Sequence, residues 1–465
     1  MITDRDSLVI RLRAEVADDL ASESRLLSVA DRKELARQLV LSRLQAFGAQ
    51  RMGAGEPPFD PVEEQQMARA VLDALFGLGR LQALVDDQSI ENIDVNGCDQ
   101  VWVTHADGSK VESEPVASSD MELIELIRAA GARFGLSERR FDNSHPELDL
   151  RLPDGSRLSA LMSVATRPVV SIRRHRYVDL NLDQLVGLGG LDEGSASLLA
   201  AAVRARKNIV VAGAMNSGKT TMVRALAAEI PPRERVVTIE QAFELGLDSM
   251  PDRHPDLVAL EAREANAEGE GEVTMARLVR RALRMNADRV IVGEVLGDEI
   301  LPMLNAMSQG RSGSMCTIHA DSSEGVFRRI ASYAVQAPER LPLEATNLLV
   351  AGAVHLVVYI EVADDALSRD DLGDLHHVRG DRFSDLPQGE RTGRRFAPAR
   401  RRRFVSSIRE VVDAEGLQVI SNEIFRPGPD RRAVPGAPLR SATLEELTQH
   451  GYDPAIGGAG VRTWR

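Results

Sequence analysis

The sequence predicts an α/β fold: a mostly parallel sheet flanked by helices, preceded by a smaller α+β domain. Three observations predict it. From about residue 180 to 362, short apolar, β-branched runs alternate with helical stretches. One such run leads into Gly213-Ala-Met-Asn-Ser-Gly218-Lys219-Thr220, which fits the phosphate-binding loop pattern G-x-x-x-x-G-K-[ST]. Upstream, between about 60 and 178, shorter strand patterns mix with two helical ones and show no such alternation.

The chain has 465 residues, enough for two or three domains. Residues 1–58 read as a charged, mostly helical arm that ends in the Gly- and Pro-rich linker 51–58. Residues 59–178 read as a compact α+β domain. It holds helices near 61–79 and 120–134, short strands at 90–95 and 100–104, a hairpin over 148–160 turned at Pro153-Asp-Gly155, and a strand over 169–174. Residues 179–362 carry the alternating pattern, after a Gly- and Leu-containing connector at 180–192. Residues 363–403 are highly charged without periodicity and read as a disordered insertion. Residues 404–426 read as a hairpin turned at Ala414-Glu-Gly416, and 427–465 as a loose Pro/Gly/Arg-rich tail.

The glycine loop has the context its chemistry needs. An apolar run over 207–212 precedes it, and a helical run over 221–230 follows, stopped by Pro231 and Pro232. Gly218 lets the backbone wrap a phosphate without a Cβ in the way. Loop N–H groups and the positive end of the helix dipole then face the anion. Gly213, Asn216, Ser217, Gly218 and Thr221 belong to this nucleotide-binding set. Lys219 supplies a point charge for the β- and γ-phosphates, and the Thr220 hydroxyl is placed to ligate Mg²⁺. At average residue usage a chain this long matches the bare pattern by chance roughly one or two times in a hundred. The flanking strand and helix favour nucleotide binding further.

Other apolar strand patterns end in chemistry-bearing residues. Residues 289–294 end in Glu294, a carboxylate suited to orient water for attack on a γ-phosphate, with Gly293 where an Asp often stands; a buried strand that simply ends in Glu is an equal reading of this motif alone. Residues 235–240 end in Glu240, with Glu244 close behind, suited to Mg²⁺ or water; acids favoured at a helix start are the plainer reading. Residues 315–319 end in His319, suited to sense the γ-phosphate or to hold Glu294, although a strand-end histidine is more often structural. A helix expected over 275–289 puts Arg277, Arg280, Arg281 and Arg284 on one face. That face is ordinarily a solvated one, and otherwise faces nucleotide or another subunit.

Composition excludes several classes. Hydrophobic residues make up 43% and charged residues 27%, ordinary values for a globular protein that buries real cores. Aromatics are only 4%, which argues against stacking platforms for single-stranded nucleic acid. A net charge of −13 gives no global basic footprint, so direct nucleic-acid binding is not expected. The two cysteines, Cys98 and Cys316, are far apart and support neither a disulfide framework nor a cysteine zinc site. The start of the chain carries acids and no apolar signal core. The longest nearly apolar run, 348–360, is too short for a membrane span and is broken by His355. A cytoplasmic protein reaching a membrane only through a partner is the expectation.

These residues together resemble the secretion ATPase superfamily of type II and type IV secretion and type IV pilus motors, and within it the CpaF/TadA tight-adherence pilus group. The similarity runs from about 80 to 360, and the 403–425 hairpin is similar to that group's C-terminal end. Four boxes carry it in order: the Walker A loop, the acidic box 238–245, the Walker B box ending in Gly293-Glu294, and the histidine box 317–320. Residues 152–157 and 171–174 add to it.

The resemblance implies a two-lobed subunit with a RecA-like C-terminal domain, six of which form a ring that binds ATP between lobes. It implies that Lys219 and Thr220 hold phosphate and Mg²⁺, that Glu294 is the catalytic carboxylate, that Glu240 assists and also serves the metal, and that His319 couples nucleotide state to conformation. It implies that Arg173 and Arg174 approach the nucleotide, that Arg151 and Arg157 act as charge-neutralising arginines, and that the ring docks on an inner-membrane platform protein. Two positions depart from the group: Gln241 stands where it usually has Asp, and Leu296 where it commonly has Arg. Among the C-terminal residues, Lys219 is the only cation a motif places. The leading reading is an oligomeric motor for pilus assembly or secretion. A slow nucleotide-dependent regulatory protein and a RecA-like DNA translocase are the alternatives.

Overall fold

The computed structural model describes residues 4–23, 28–105, 108–134, 140–174, 180–263, 265, 269–308, 312–364, 395–396 and 401–458. The chain divides into two compact units: 1–176 with 369–399, and 177–368 with 400–465.

The first unit opens with α1 (Asp4–Glu23), α2 (Val29–Gly53) and α3 (Pro61–Phe76). Their apolar stripes, including Leu12, Val16, Val40, Leu44, Met67 and Val71, close on one another. Asp60 caps α3 in a capping box with Glu63, and Pro61 stands at its first position. After α4 (Leu81–Asp86) come β1 (Ile90–Asn96), β2 (Val101–His105), β3 (Lys110–Ser113), α5 (Asp120–Phe134), β4 (Glu147–Arg151), β5 (Arg157–Leu161) and β6 (Val169–Arg173). Their sheet is antiparallel, in the order β3-β2-β1-β6-β5-β4. The expected hairpin is β4–β5. The register puts Arg151 opposite Arg157, and Arg157 opposite Arg173.

The second unit begins with α6 (Leu182–Gly187), inside the stretch expected as connector. Asn181 and Gln184 form a capping box there, and Leu182 and Leu185 are buried. Next come α7 (Glu193–Arg204), β7 (Ile209–Gly213), α8 (Lys219–Ala227), β8 (Val236–Glu240), β9 (Leu257–Glu261), α9 (Met275–Ala282), β10 (Arg289–Val295), α10 (Ile300–Ser308), β11 (Met315–His319), α11 (Gly325–Gln336), α12 (Leu343–Ala353) and β12 (Leu356–Asp364). The helix expected over 275–289 stops at Ala282. A turn follows, with Asn286 left-handed at φ 54°, and feeds directly into β10.

Six strands run parallel in the order β12-β7-β11-β10-β8-β9. The apolar runs are continuous because both faces are covered. Along β7, Ile209 and Val211 join one core with Leu199, Val203, Met222 and Leu226 of α7 and α8. Val210 and Ala212 join the other with Val279, Met303, Leu304 and Ile330 of α9, α10 and α11.

The C-terminal part completes the fold. The two-residue strand β13 (Arg395–Phe396) pairs with β3 in the first unit. β14 (Arg401–Glu415) and β15 (Gln418–Pro427) form the expected hairpin, which joins the large sheet at β12. So the stretch expected as a disordered insertion gives its ends to strands: Asp364 pairs with Arg401, and Val362 with Arg403. Residues 365–394 and 397–400 of that stretch lie outside the described residues. The tail expected to be loose instead holds β16 (Ala433–Pro435), α13 (Ser441–Gln449) and α14 (Pro454–Gly458). Leu447 and Tyr452 are buried in the core that includes α7. Proline and glycine marked the turns there and masked the short amphipathic helix between them.

Candidate nucleotide site

The parallel strands set the site by register. His319 at the end of β11 pairs with Gly213 at the end of β7, Ile318 with Val295 of β10, and Ile239 with Val292. Gly213, His319, Glu294 and Glu240 therefore share one carboxyl edge of the sheet, where open α/β sheets bind ligands.

The loop between β7 and α8 is built for an anion. Gly218 sits at φ 94°, where a side chain would be strained, and from there α8 starts with Lys219. Asn216 is also left-handed at φ 60°, a conformation asparagine tolerates. A Cβ on Gly213 would come within 2.6 Å of the Ile360 carbonyl oxygen, so that glycine is fixed by the close approach of β12. Ser217 is fully buried, and its Oγ has no hydrogen-bond partner among the described residues. A buried hydroxyl without a partner in a glycine-containing loop at a helix start fits a bound phosphate group.

Lys219 is 7% exposed. Its Nζ donates to the Ala214 carbonyl at 3.0 Å and the Gly213 carbonyl at 3.4 Å, and lies 3.1 Å from Nδ1 of His319. On the other side of the same ring, Nε2 of His319 lies 2.5 Å from Oε1 of Glu294. An ammonium has no acceptor, so Nδ1 must accept from Lys219, and Nε2–H then donates to Glu294. The three residues form one chain from the phosphate loop to the carboxylate.

Glu240 is held by the turn that follows it. Its Oε1 accepts from the backbone N–H of Glu244 at 2.8 Å and of Leu245 at 2.7 Å, and the residue is 3% exposed. Burial pushes its carboxyl up to about 7. Buried Arg224 clasps the same turn, donating to the Leu245 carbonyl at 2.8 Å and to the Glu244 carbonyl. The carboxylate next to Thr220 is Glu244's: Thr220 Oγ1 donates to its Oε2 at 3.4 Å. A Cβ on Gly293 would lie 2.9 Å from Glu240 Cγ, which explains why no Asp precedes Glu294 here. After β10, Glu299 accepts from the N–H groups of Leu296 and Gly297, so the turn at Leu296 is held without an arginine.

The structure brings Lys219, Thr220, His319, Glu294, Glu240 and Glu244 into one neighbourhood. The other expected residues, Arg151, Arg157, Arg173 and Arg174, lie in the first unit. There Arg157 is 3.8 Å from Asp149, while Arg174 donates to the Asp87 carbonyl at 2.5 Å and lies 3.7 Å from Asp154. Arg277, Arg280, Arg281 and Arg284 line an open cleft of about 510 Å³, and Arg280 pairs with Glu339 at 3.0 Å. One residue beside the loop was missed: Arg403 of β14, whose Nε donates to the Asn216 carbonyl at 2.9 Å. It hid in a run of arginines with no motif.

Comparison with known proteins decides the family. The family model described as "Type II/IV secretion system protein" matches residues 75–398. The chain belongs to this type II/IV secretion family. It is 34% identical over 320 residues to a putative conjugal transfer protein of Mycobacterium tuberculosis, a match spanning 67% of this chain and 87% of that protein. It is 31% identical over 327 residues to the type IV secretion system protein VirB11 of Brucella suis, across 64% of this chain and 88% of that one. The solved VirB11 ATPase of Brucella suis, in complex with sulphate, overlays 64% of this chain and 92% of its own at 28% identity, with a TM-score of 0.32. The second unit is an α/β domain with a mostly parallel sheet, the smaller α+β domain precedes it, and the protein is an ATPase. Among the described residues, no helix is long and apolar enough to cross a membrane.

Proposed function

We propose that this ATPase is a ring-forming motor that powers assembly of a tight-adherence-type pilus or a related secretion machine. It works as a homo-hexamer on the cytoplasmic face of the inner membrane, docked on a platform protein, and does not bind nucleic acid directly. The observation that carries this reading is the Lys219–His319–Glu294 chain, because it ties phosphate occupancy to the hydrolytic carboxylate.

The residues divide the work as follows. The loop N–H groups, Ser217 and Lys219 hold the β- and γ-phosphates of ATP. Thr220 and Glu244 would hold Mg²⁺ together with phosphate oxygens, and the ion would neutralise charge that builds on the phosphates. Glu294 orients the attacking water and draws its proton as ATP and water become ADP and phosphate. His319, donating through Nε2, keeps Glu294 aimed. When Lys219 turns from His319 to a γ-phosphate, His319 loses a partner, and the change reaches β11 and β10. Motors use such a nucleotide-dependent contact to move one unit against its neighbour.

The test is turnover by the purified full chain, with Mg²⁺ or with a chelator, with and without DNA, alongside Lys219→Ala. Magnesium-dependent hydrolysis that DNA does not stimulate and that Lys219→Ala abolishes supports the reading. Stimulation by DNA would favour a translocase. Tight ATP binding without turnover would favour a regulatory protein.

A further inference from the structure

Lys219 is the motif cation of the loop, yet a triphosphate carries several negative charges. The structure places a second cation there from a distant part of the chain. β12 lies beside β7, with Ile360 opposite Gly213, and β14 runs antiparallel to β12, with Arg403 opposite Val362. β14 therefore enters the sheet at the edge where the phosphate loop stands. The Arg403 side chain lies across that loop: its Nε donates to the Asn216 carbonyl at 2.9 Å, and its Cδ is 3.6 Å from where a Cβ on Gly218 would stand.

Three other arginines of these C-terminal strands and loops are spent on carboxylates. Arg409 meets Glu423 at 3.3 Å, Arg440 meets Glu410 at 3.0 Å, and Arg431 pairs with Glu361. Arg403 is exposed, and its terminal nitrogens have no hydrogen bond or ion pair among the described residues. A guanidinium held by Nε alone presents its two remaining nitrogens as a fork, the geometry that fits phosphate oxygens.

We propose that Arg403 is a second phosphate-binding cation of the nucleotide site, anchored to the loop through Asn216 and acting on the bound nucleoside polyphosphate. This rests on the reading of the loop as the ATP site. It also gives the hairpin that follows residues 365–400 a direct stake in nucleotide occupancy.

Three variants of the full chain separate charge from loop support. Arg403→Gln keeps a donor for the Asn216 carbonyl but loses the charge. Arg403→Lys keeps the charge but loses the fork. Arg403→Ala loses both. We expect the Ala and Gln variants to raise the ATP KM by roughly tenfold to a hundredfold, the range of one charged hydrogen bond. kcat should change less than KM, Lys should recover part of the loss, and melting temperatures should stay parental. Affinity for ATP and ADP should fall more than affinity for AMP, which offers fewer charges. A Gln variant with a KM within about twofold of parental, or equal weakening for ATP and AMP, would overturn the proposal, the latter by showing that Arg403 only props the loop. Lys219→Ala runs in parallel. If it keeps parental turnover, the loop reading itself has failed; if it is dead while Arg403→Gln is normal, only the Arg403 proposal has.

Discussion

His319 Nε2 and Glu294 Oε1 meet at 2.5 Å across the ends of adjacent parallel strands. Ile318 registers with Val295, which brings His319 and Glu294 to the same end of the two strands. Its donor direction is set from the other side, where Lys219 occupies Nδ1.

Glu294→Gln should keep ATP binding and lower kcat by about 10²-fold or more, the usual weight of a positioned base. His319→Ala should lower kcat with little change in KM, because it removes the group that aims Glu294 and leaves the phosphate cradle intact. Steady-state kinetics with a separate binding assay checks both. Parental kcat in His319→Ala would make the histidine a structural strand end.

Gly293→Ala should hurt both stability and turnover. The added Cβ would fall 2.9 Å from Glu240 Cγ and 3.2 Å from its Oε1. Glu240 would have to move, releasing the amides of Glu244 and Leu245. Overpacking of this kind costs about 1–3 kcal/mol. Chemical denaturation measures the loss, and a variant as stable and active as the parent would show that the turn tolerates the shift.

Strand ends were legible in the sequence, and the reason is physical. The inner parallel strands, covered on both faces, are nearly continuous apolar runs, so each polar residue that stops one, such as Glu240, Glu294 or His319, marks the carboxyl edge. Pairings between distant segments were not legible. The role of Glu244 beside Thr220 depends on how the turn after β8 folds back under Arg224, and that turn has no periodicity. Arg403 was hidden because register with β12, fixed only in three dimensions, carries it to the loop. The shortened α9 and the folded tail were missed for the same reason: turn residues announce a break but not what resumes after it.

His355 should give the fold an acid-sensitive step. Burial first, and Lys207 next, push its imidazole down to about 4, and its Nδ1 accepts from the Asn208 N–H at 2.9 Å. The folded protein therefore prefers the neutral ring. Above the unfolded value of 6.5 nothing is lost; as pH falls from 6.5 toward 4, stability drops, by at most about 3 kcal/mol. His355→Asn keeps an acceptor for Asn208 and cannot titrate. Melting curves at pH 7.5 and pH 5 should show a larger fall for the parent than for the variant, and equal falls would place the acid sensitivity elsewhere.

Removing residues 366–399 should leave folding and ATPase activity near parental. Asp364 and Arg401 are register partners on β12 and β14, so a short Gly/Ser bridge closes them as a hairpin. The deletion sacrifices only the two-residue edge strand β13 among the described elements. A melting temperature lower by more than about 5 °C, roughly the shift of 1 kcal/mol in a domain of modest size, would show that the segment packs on the core.

The last prediction concerns assembly. Arg151, Arg157 and Arg173 stand opposite one another on three adjacent strands, β4, β5 and β6. Asp149 lies 3.8 Å from Arg157. Arginine forks fit phosphate oxygens, and a polyphosphate is the anion this enzyme handles. Added arginines accelerate phosphoryl transfer by about 10³–10⁵. If the row serves a neighbouring subunit's nucleotide, activity per subunit should rise with protein concentration as rings assemble. Arg157→Ala and Lys219→Ala subunits should each be inactive alone and regain activity when mixed, because a mixed ring pairs an intact loop with an intact arginine row. Activity independent of concentration, together with no rescue in the mixture, would mean that each subunit completes its own site.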